Sequence, residues 1–230
     1  MPATSSLITW FADPARPLRT DEMVRAIKAN PRLAAEVDAA TGNTPLHFAC
    51  CNGPPLLLVE ALLAAEPSSA QKRDGEGNLP IVGAVANGAT ADVVQRLLKA
   101  HPDGVRATTT HKQTLLHLAA CHRQSIATVA ALIAAWPEAA AERDDEGNAP
   151  LHYAAACQAS PSVVEALLAA CPESAGWRGQ LQRYPLSLCL LCEAPPASVE
   201  AIKNAYPNAQ RAIEIVADYQ NHGRGVSSTF

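Results

Sequence analysis

Thr44-Pro45-Leu46-His47-Phe48-Ala49-Cys50 returns as Thr114-Leu115-Leu116-His117-Leu118-Ala119-Ala120 and as Ala149-Pro150-Leu151-His152-Tyr153-Ala154-Ala155, always at multiples of 35 residues. The same interval separates Pro45, Pro80, Leu115, Pro150 and Pro185, and it separates Val59, Val94, Val129, Val164 and Val199. A third series, Pro67, Pro102, Pro137, Pro172 and Pro207, keeps the step, with Pro31 leading it by 36. A fixed period of this length identifies stacked supersecondary units, each unable to bury its apolar face alone.

Within one unit the residue types point to two helices. Proline at the first helical position loses nothing, because the first N–H groups of a helix lack internal partners, and Thr44 or Thr114 just before it can cap the helix. Leu46, Leu116, Leu151 and Leu186 then face inward, beside the small residues Ala49, Ala84, Ala119, Ala154 and Cys189. The break at Gly53-Pro54-Pro55 leaves this first helix about two turns. The second helix carries Val59, Leu62 and Leu63 at the i, i+3, i+4 spacing of one apolar face. After it, proline disfavours helix in the preceding residue and ends the segment. Asp74-Gly75-Glu76-Gly77-Asn78 and Asp144-Asp145-Glu146-Gly147-Asn148 form a recurring turn between units.

These motifs resemble the ankyrin repeat, whose pattern is a turn, Thr-Pro-Leu-His-x-Ala-Ala, a short loop and then Val-x-x-Leu-Leu. The resemblance covers about residues 21–218, with one extra residue in the loop between helices and one in the finger loop, relative to the usual 33. It implies an all-α ankyrin-repeat solenoid with short β-hairpin-like fingers. The tetratricopeptide alternative needs a longer first helix than the Gly53-Pro54-Pro55 break permits. The expected organisation is an irregular N-terminal cap (1–20) and a half-repeat cap (21–43) with Met23 and Ile27 as its apolar contacts. Five repeats follow at 44–78, 79–113, 114–148, 149–183 and 184–218. Arg211–Tyr219 is expected to close the array as a final helix, and 219–230 to be a disordered tail.

Composition narrows the function. The chain is 48% hydrophobic but only 4% aromatic, as suits closely stacked alanine-rich helices, and a net charge of −4 without a basic patch argues against nucleic acid. Apolar runs reach about ten residues where a bilayer needs roughly 20, and no signal-peptide pattern opens the chain. Seven cysteines, an odd number, fall where other repeats carry Ala, Asn or Leu. They read as free thiols of a cytoplasmic or nuclear protein.

No phosphate loop, nucleophile elbow or paired-carboxylate cleft appears, so no catalytic residue, cofactor or metal is assigned. His47, His117 and His152 lie one or two repeats apart, and the resemblance implies that each ties loop backbone. Val82 and Ser187 stand in the same column, so those joints are expected to be less well tied. Cys189-x-x-Cys192 lacks a second ligand pair or a redox fold, although His122, Cys157 and Cys192 share a column on successive repeats. The resemblance implies instead a monomeric, non-catalytic module that binds a protein partner on its concave face. One column of candidates precedes the Thr-Pro-Leu-His motif: Asn43, Asn78, Gln113, Asn148 and Arg183. A second holds Asn52, Asn87 and His122, and the finger acids Glu76, Asp145 and Glu146 lie close by.

Overall fold

The structure is a computed structural model that describes residues 6–11 and 19–206. The expected closing helix Arg211–Tyr219 and the tail lie outside the described residues.

Each repeat contributes a seven-residue first helix and a ten-residue second helix. The first helices are α3 (Pro45–Cys51), α5 (Pro80–Ala86), α7 (Leu115–Cys121), α9 (Pro150–Ala156) and α11 (Pro185–Leu191). The second helices are α4 (Leu56–Ala65), α6 (Ala91–Ala100), α8 (Ile126–Ala135), α10 (Pro161–Ala170) and α12 (Pro196–Ala205). First helices stack on first helices and second on second, which makes two helical layers. Ala49, Ala84, Ala119 and Cys189 are fully buried and Ala154 nearly so, because any larger side chain in this column would separate the stacked backbones.

The array begins earlier than the motif. Within the segment expected to be irregular, Leu7–Phe11 forms α1, which packs on α3, and Phe11 stacks on Phe48 with ring centroids 6.0 Å apart. Helix α2 (Thr20–Ala29) packs on α4 and buries Met23, Val24 and Ile27. The pair α1 and α2 thus occupies the positions of a further repeat that lacks the Thr-Pro-Leu-His phrase.

The second proline series does more than end a helix. The preceding residue leaves helical geometry, with φ −140° at Glu66 and −151° at Trp136, and the proline then opens a five-residue 3-10 turn. Those turns run Pro67–Gln71, Pro102–Arg106, Pro137–Ala141 and Pro172–Gly176. Arg106 lies 4.9 Å from the Trp136 ring, and Arg143 lies 4.5 Å from that of Trp177, so cation–π contacts join consecutive units.

The fingers are turns rather than β-ladders. Among the described residues no strand forms, only an isolated bridge between Thr108 and Thr114. Asp74 N–H donates to Asn78 O at 3.0 Å, and Asp144 N–H to Asn148 O at 3.0 Å. Gly77 adopts φ +85° and so closes the first of these turns without a Cβ clash. Neighbouring fingers are joined through main chain: Gly75 N–H donates to Thr41 O at 2.8 Å, and Asp145 N–H to His111 O at 3.2 Å.

Candidate functional site

The fingers and first helices form one face, and the histidines hold its geometry. His47 Nδ1 accepts from Thr44 N–H at 3.2 Å, and its Nε2–H donates to Asn78 O at 3.2 Å. His117 does the same with Thr114 N–H (3.0 Å) and Asn148 O (3.0 Å), and His152 with Ala149 N–H (3.1 Å) and Trp177 O (3.2 Å). The His47 and His117 rings therefore tie their own helix starts to the next finger, and the His152 ring ties its own to Trp177, just after the 3-10 turn Pro172–Gly176. A ring that must accept at one nitrogen and donate at the other is neutral. Burial lowers the pKa of all three, and that of His152 falls to about 4.

An aspartate organises two of the fingers. Asp74 Oδ1 accepts from the N–H groups of Glu76 and Asn78, and Asp144 Oδ1 from those of Glu146 and Asn148. Thr109 Oγ1 replaces it one finger on, accepting from His111 and Gln113 N–H at 3.3 Å. The position after Asp144 is Gly179, which has no side chain to accept. Asn148 reaches across instead, and its Oδ1 accepts from Gln180 N–H at 2.9 Å. A Cβ on Gly179 would lie 2.2 Å from that same oxygen.

This substitution explains how Asn148 differs from its column. It is 7% exposed, with Oδ1 engaged by Gln180 and Nδ2 donating to Glu146 Oε2 at 3.3 Å. As a direct contact for a partner it is therefore largely closed off. Gln113 is half-buried and donates to Tyr153 OH at 2.8 Å, and that hydroxyl donates to Asp144 Oδ2 at 2.7 Å. Asn43 and Asn78 are half-buried, bonded to Thr41 Oγ1 and to Glu76. Asn52 and Asn87 are exposed, but each donates to a carbonyl of its own helix, Phe48 O at 2.8 Å and Gly83 O at 2.9 Å. Arg183 is half-buried, whereas Glu76, His122 and Asp145 stand in solvent.

Two grooves open on this face. One of about 550 Å³ is lined by Asn43, Glu76, Asn78 and Cys51, and one of about 400 Å³ by Gln113, Asn148, Tyr153 and Cys157. Asn52, Asn87, His122, Asp145 and Arg183 line neither. The second groove depends on residues that motif reading passes over. Tyr153 shares its column with Phe48, Gly83, Leu118 and Leu188, and its hydroxyl was the available signal. Cys157 does not pair with His122 or Cys192, its column mates. Its Sγ lies 3.6 Å from Cys121 Sγ, one residue out of register. Cys189 is fully buried, which pushes its thiol up to about 12. Among the described residues no group of three or more His, Cys, Asp or Glu side chains could hold a metal ion, and no helix is long and apolar enough to cross a membrane.

The comparisons agree with this geometry. The model of ankyrin repeats in three copies matches residues 81–175, and that of the single ankyrin repeat matches residues 41–72. This chain is an ankyrin-repeat protein. No curated protein sequence matches it. A chain of the solved complex of a predatory endopeptidase from Bdellovibrio bacteriovorus with an immunity protein shares the fold. That likeness covers 78% of this chain and 89% of the other at 20% identity, with a TM-score of 0.63. Ankyrin repeats are protein–protein interaction modules, and in this array the two grooves, the finger acids and the ties between repeats all belong to one face.

Proposed function

We propose that this ankyrin array is a monomeric, non-catalytic adaptor or scaffold, and that it grips one protein partner along the face of fingers and first helices, the concave face of the family. The observation that carries the reading is the pair of grooves, about 550 and 400 Å³, on that face. Both are edged by amides and carboxylates on a backbone already fixed by the histidine ties. A preorganised surface loses little conformational entropy on binding, and several equivalent side chains meet a partner at once. The similar solved chain is itself part of a two-protein complex. Of the candidate residues, Glu76, Asp145, His122, Asn52 and Asn87 have the exposure that direct contact needs, the last two with amides turned to their own helices, while Gln113, Asn43, Asn78 and Glu76 edge the grooves. Affinity capture with the full chain, identification of the captured protein by mass spectrometry and hydrogen exchange on the purified pair test this. Protection should concentrate in the fingers and in α3 to α11 of the first layer. Protection confined to the second helices would overturn the proposal.

A further inference from the structure

Two sulfurs, those of Cys121 and Cys157, line the second groove. Cys121 ends α7 and Cys157 follows the end of α9, so the two thiols belong to the third and fourth repeats. Other repeats carry Cys51, Ala86 and Leu191 in the column of Cys121 and Asn52, Asn87 and Cys192 in that of Cys157. The register offset brings Cys121 and Cys157 to 3.6 Å, Sγ to Sγ. Both are half-buried and both line the groove, so a small solute can reach them. We propose that Cys121 and Cys157 form a reactive dithiol site that peroxides convert to a disulfide, cross-linking the third and fourth repeats along the groove.

The geometry suits the reaction. A disulfide holds its sulfurs about 2.05 Å apart, so closure asks for about 1.5 Å of approach, shared between two side chains at helix ends. The chemistry balances without a metal. The Cys121 thiolate attacks one peroxide oxygen, the O–O bond breaks, and the other oxygen leaves as water or alcohol after taking a proton. Cys121 is then a sulfenic acid, oxidised by two electrons while the peroxide is reduced by two. Cys157 next attacks the Cys121 sulfur, the S–O bond breaks, and hydroxide departs with the Cys157 proton as a second water.

The pair is also poised for the first step. Cys157 S–H donates to Cys121 Sγ, and that hydrogen bond brings the Cys121 thiol down to about 7, while the same contact holds the proton on Cys157. Two sulfurs in contact release one proton easily and the second with difficulty. The remaining thiols are placed otherwise. Cys50, Cys171 and Cys189 are buried, and burial raises Cys51 and Cys192. Any effect of the cross-link on partner binding rests on the interface reading above; the cross-link itself does not.

Trypsin releases Cys121 alone in the peptide 113–123 and Cys157 with Cys171 in 144–178, so the bond can be read directly. The full chain, treated with equimolar hydrogen peroxide and mapped without reduction, should yield 113–123 joined to 144–178, with fragmentation placing the bond at Cys157. The link should persist in Cys171→Ser and Cys192→Ser and vanish in Cys157→Ser, with circular dichroism reporting that each variant is folded. Before oxidation, iodoacetamide at neutral pH should label Cys121 about ten times faster than Cys192, and Cys157→Ala should abolish most of that advantage. Oxidation that leaves 113–123 unlinked, or that joins it to Cys171 or Cys192, would overturn the proposal. So would equal labelling of Cys121 and Cys192.

Discussion

His117 joins two repeats through a single ring. Its Nδ1 accepts from Thr114 N–H and its Nε2–H reaches Asn148 O, 31 residues away, with no exposed surface. Replacing it with valine, the residue the second repeat carries as Val82, leaves the buried Thr114 N–H without its acceptor and takes from Asn148 O one of two donors, the other being Asp144 N–H. The expected loss is about 1–3 kcal/mol in urea unfolding. The same bonds make stability depend on pH. His152 titrates near 6.5 when unfolded and about 4 when folded, because burial disfavours the charged ring. Between those values the unfolded chain binds the proton first, so acid favours unfolding. The contribution is complete above pH 6.5 and is lost as pH falls towards 4, with the gap capping it at about 3 kcal/mol. Urea unfolding at pH 7 and at pH 4.5 should show that loss in the parent chain, and His152→Val should shrink it. An unchanged difference would remove His152 as its source. The structural role of these histidines was legible from motif position, but Asn148 was not. Its column promised an exposed amide; what buries it is the missing side chain at Gly179, one repeat away, and no property of Asn148 itself reveals that.

Elements translate such local ties into repeat-to-repeat cohesion. Gly179→Ala would drive a methyl group into Asn148 Oδ1 and to within 2.8 Å of the His152 ring, displacing the bond to Gln180 N–H. The Asn148 amide and the His152 ring are each held by hydrogen bonds at both ends and yield only by giving them up, so a loss of about 1–3 kcal/mol is expected. Asn148→Ala in the Gly179→Ala background should then cost less than the sum of the two, because the methyl group fills the space the amide vacates. Additive losses in a double-mutant cycle would refute that coupling. In the second layer, Leu132 is 1% exposed at the centre of the array, and Leu132→Ala should cost about 2–5 kcal/mol. From sequence the matching position in the last repeat, Ile202, is expected to matter less, having one neighbour. It is fully buried, so its truncation should instead cost a similar amount, and urea melts of the two variants compare them directly. The helices themselves were readable because proline, threonine and alanine mark their ends and contacts at a constant interval. The 3-10 turns were not, since proline reports only where an α-helix stops, and α1 was missed because Leu7–Phe11 shares no phrase with the repeats.

At the scale of the whole molecule, the two layers make two faces, and each exposes carboxylates. Glu60 and Glu165 stand exposed on the second helices, and Glu76 and Asp145 stand exposed on the fingers. Their replacement by amides removes the same charge in either place and changes long-range steering alike, so a difference in affinity between the two pairs reports contact rather than net charge. Glu76→Gln with Asp145→Asn should weaken a captured partner at least about tenfold if those carboxylates meet it at a desolvated centre. Glu60→Gln with Glu165→Gln should leave affinity within about twofold. None of the four side chains has a bond that holds the fold: Glu76 accepts at 3.3 Å from Asn78, and Asp145 lies 3.8 Å from His111, both in solvent. Urea midpoints of the two double variants should therefore match that of the parent. A larger loss of affinity from the second-helix pair, with both variants equally stable, would move the binding surface to the opposite face of the array.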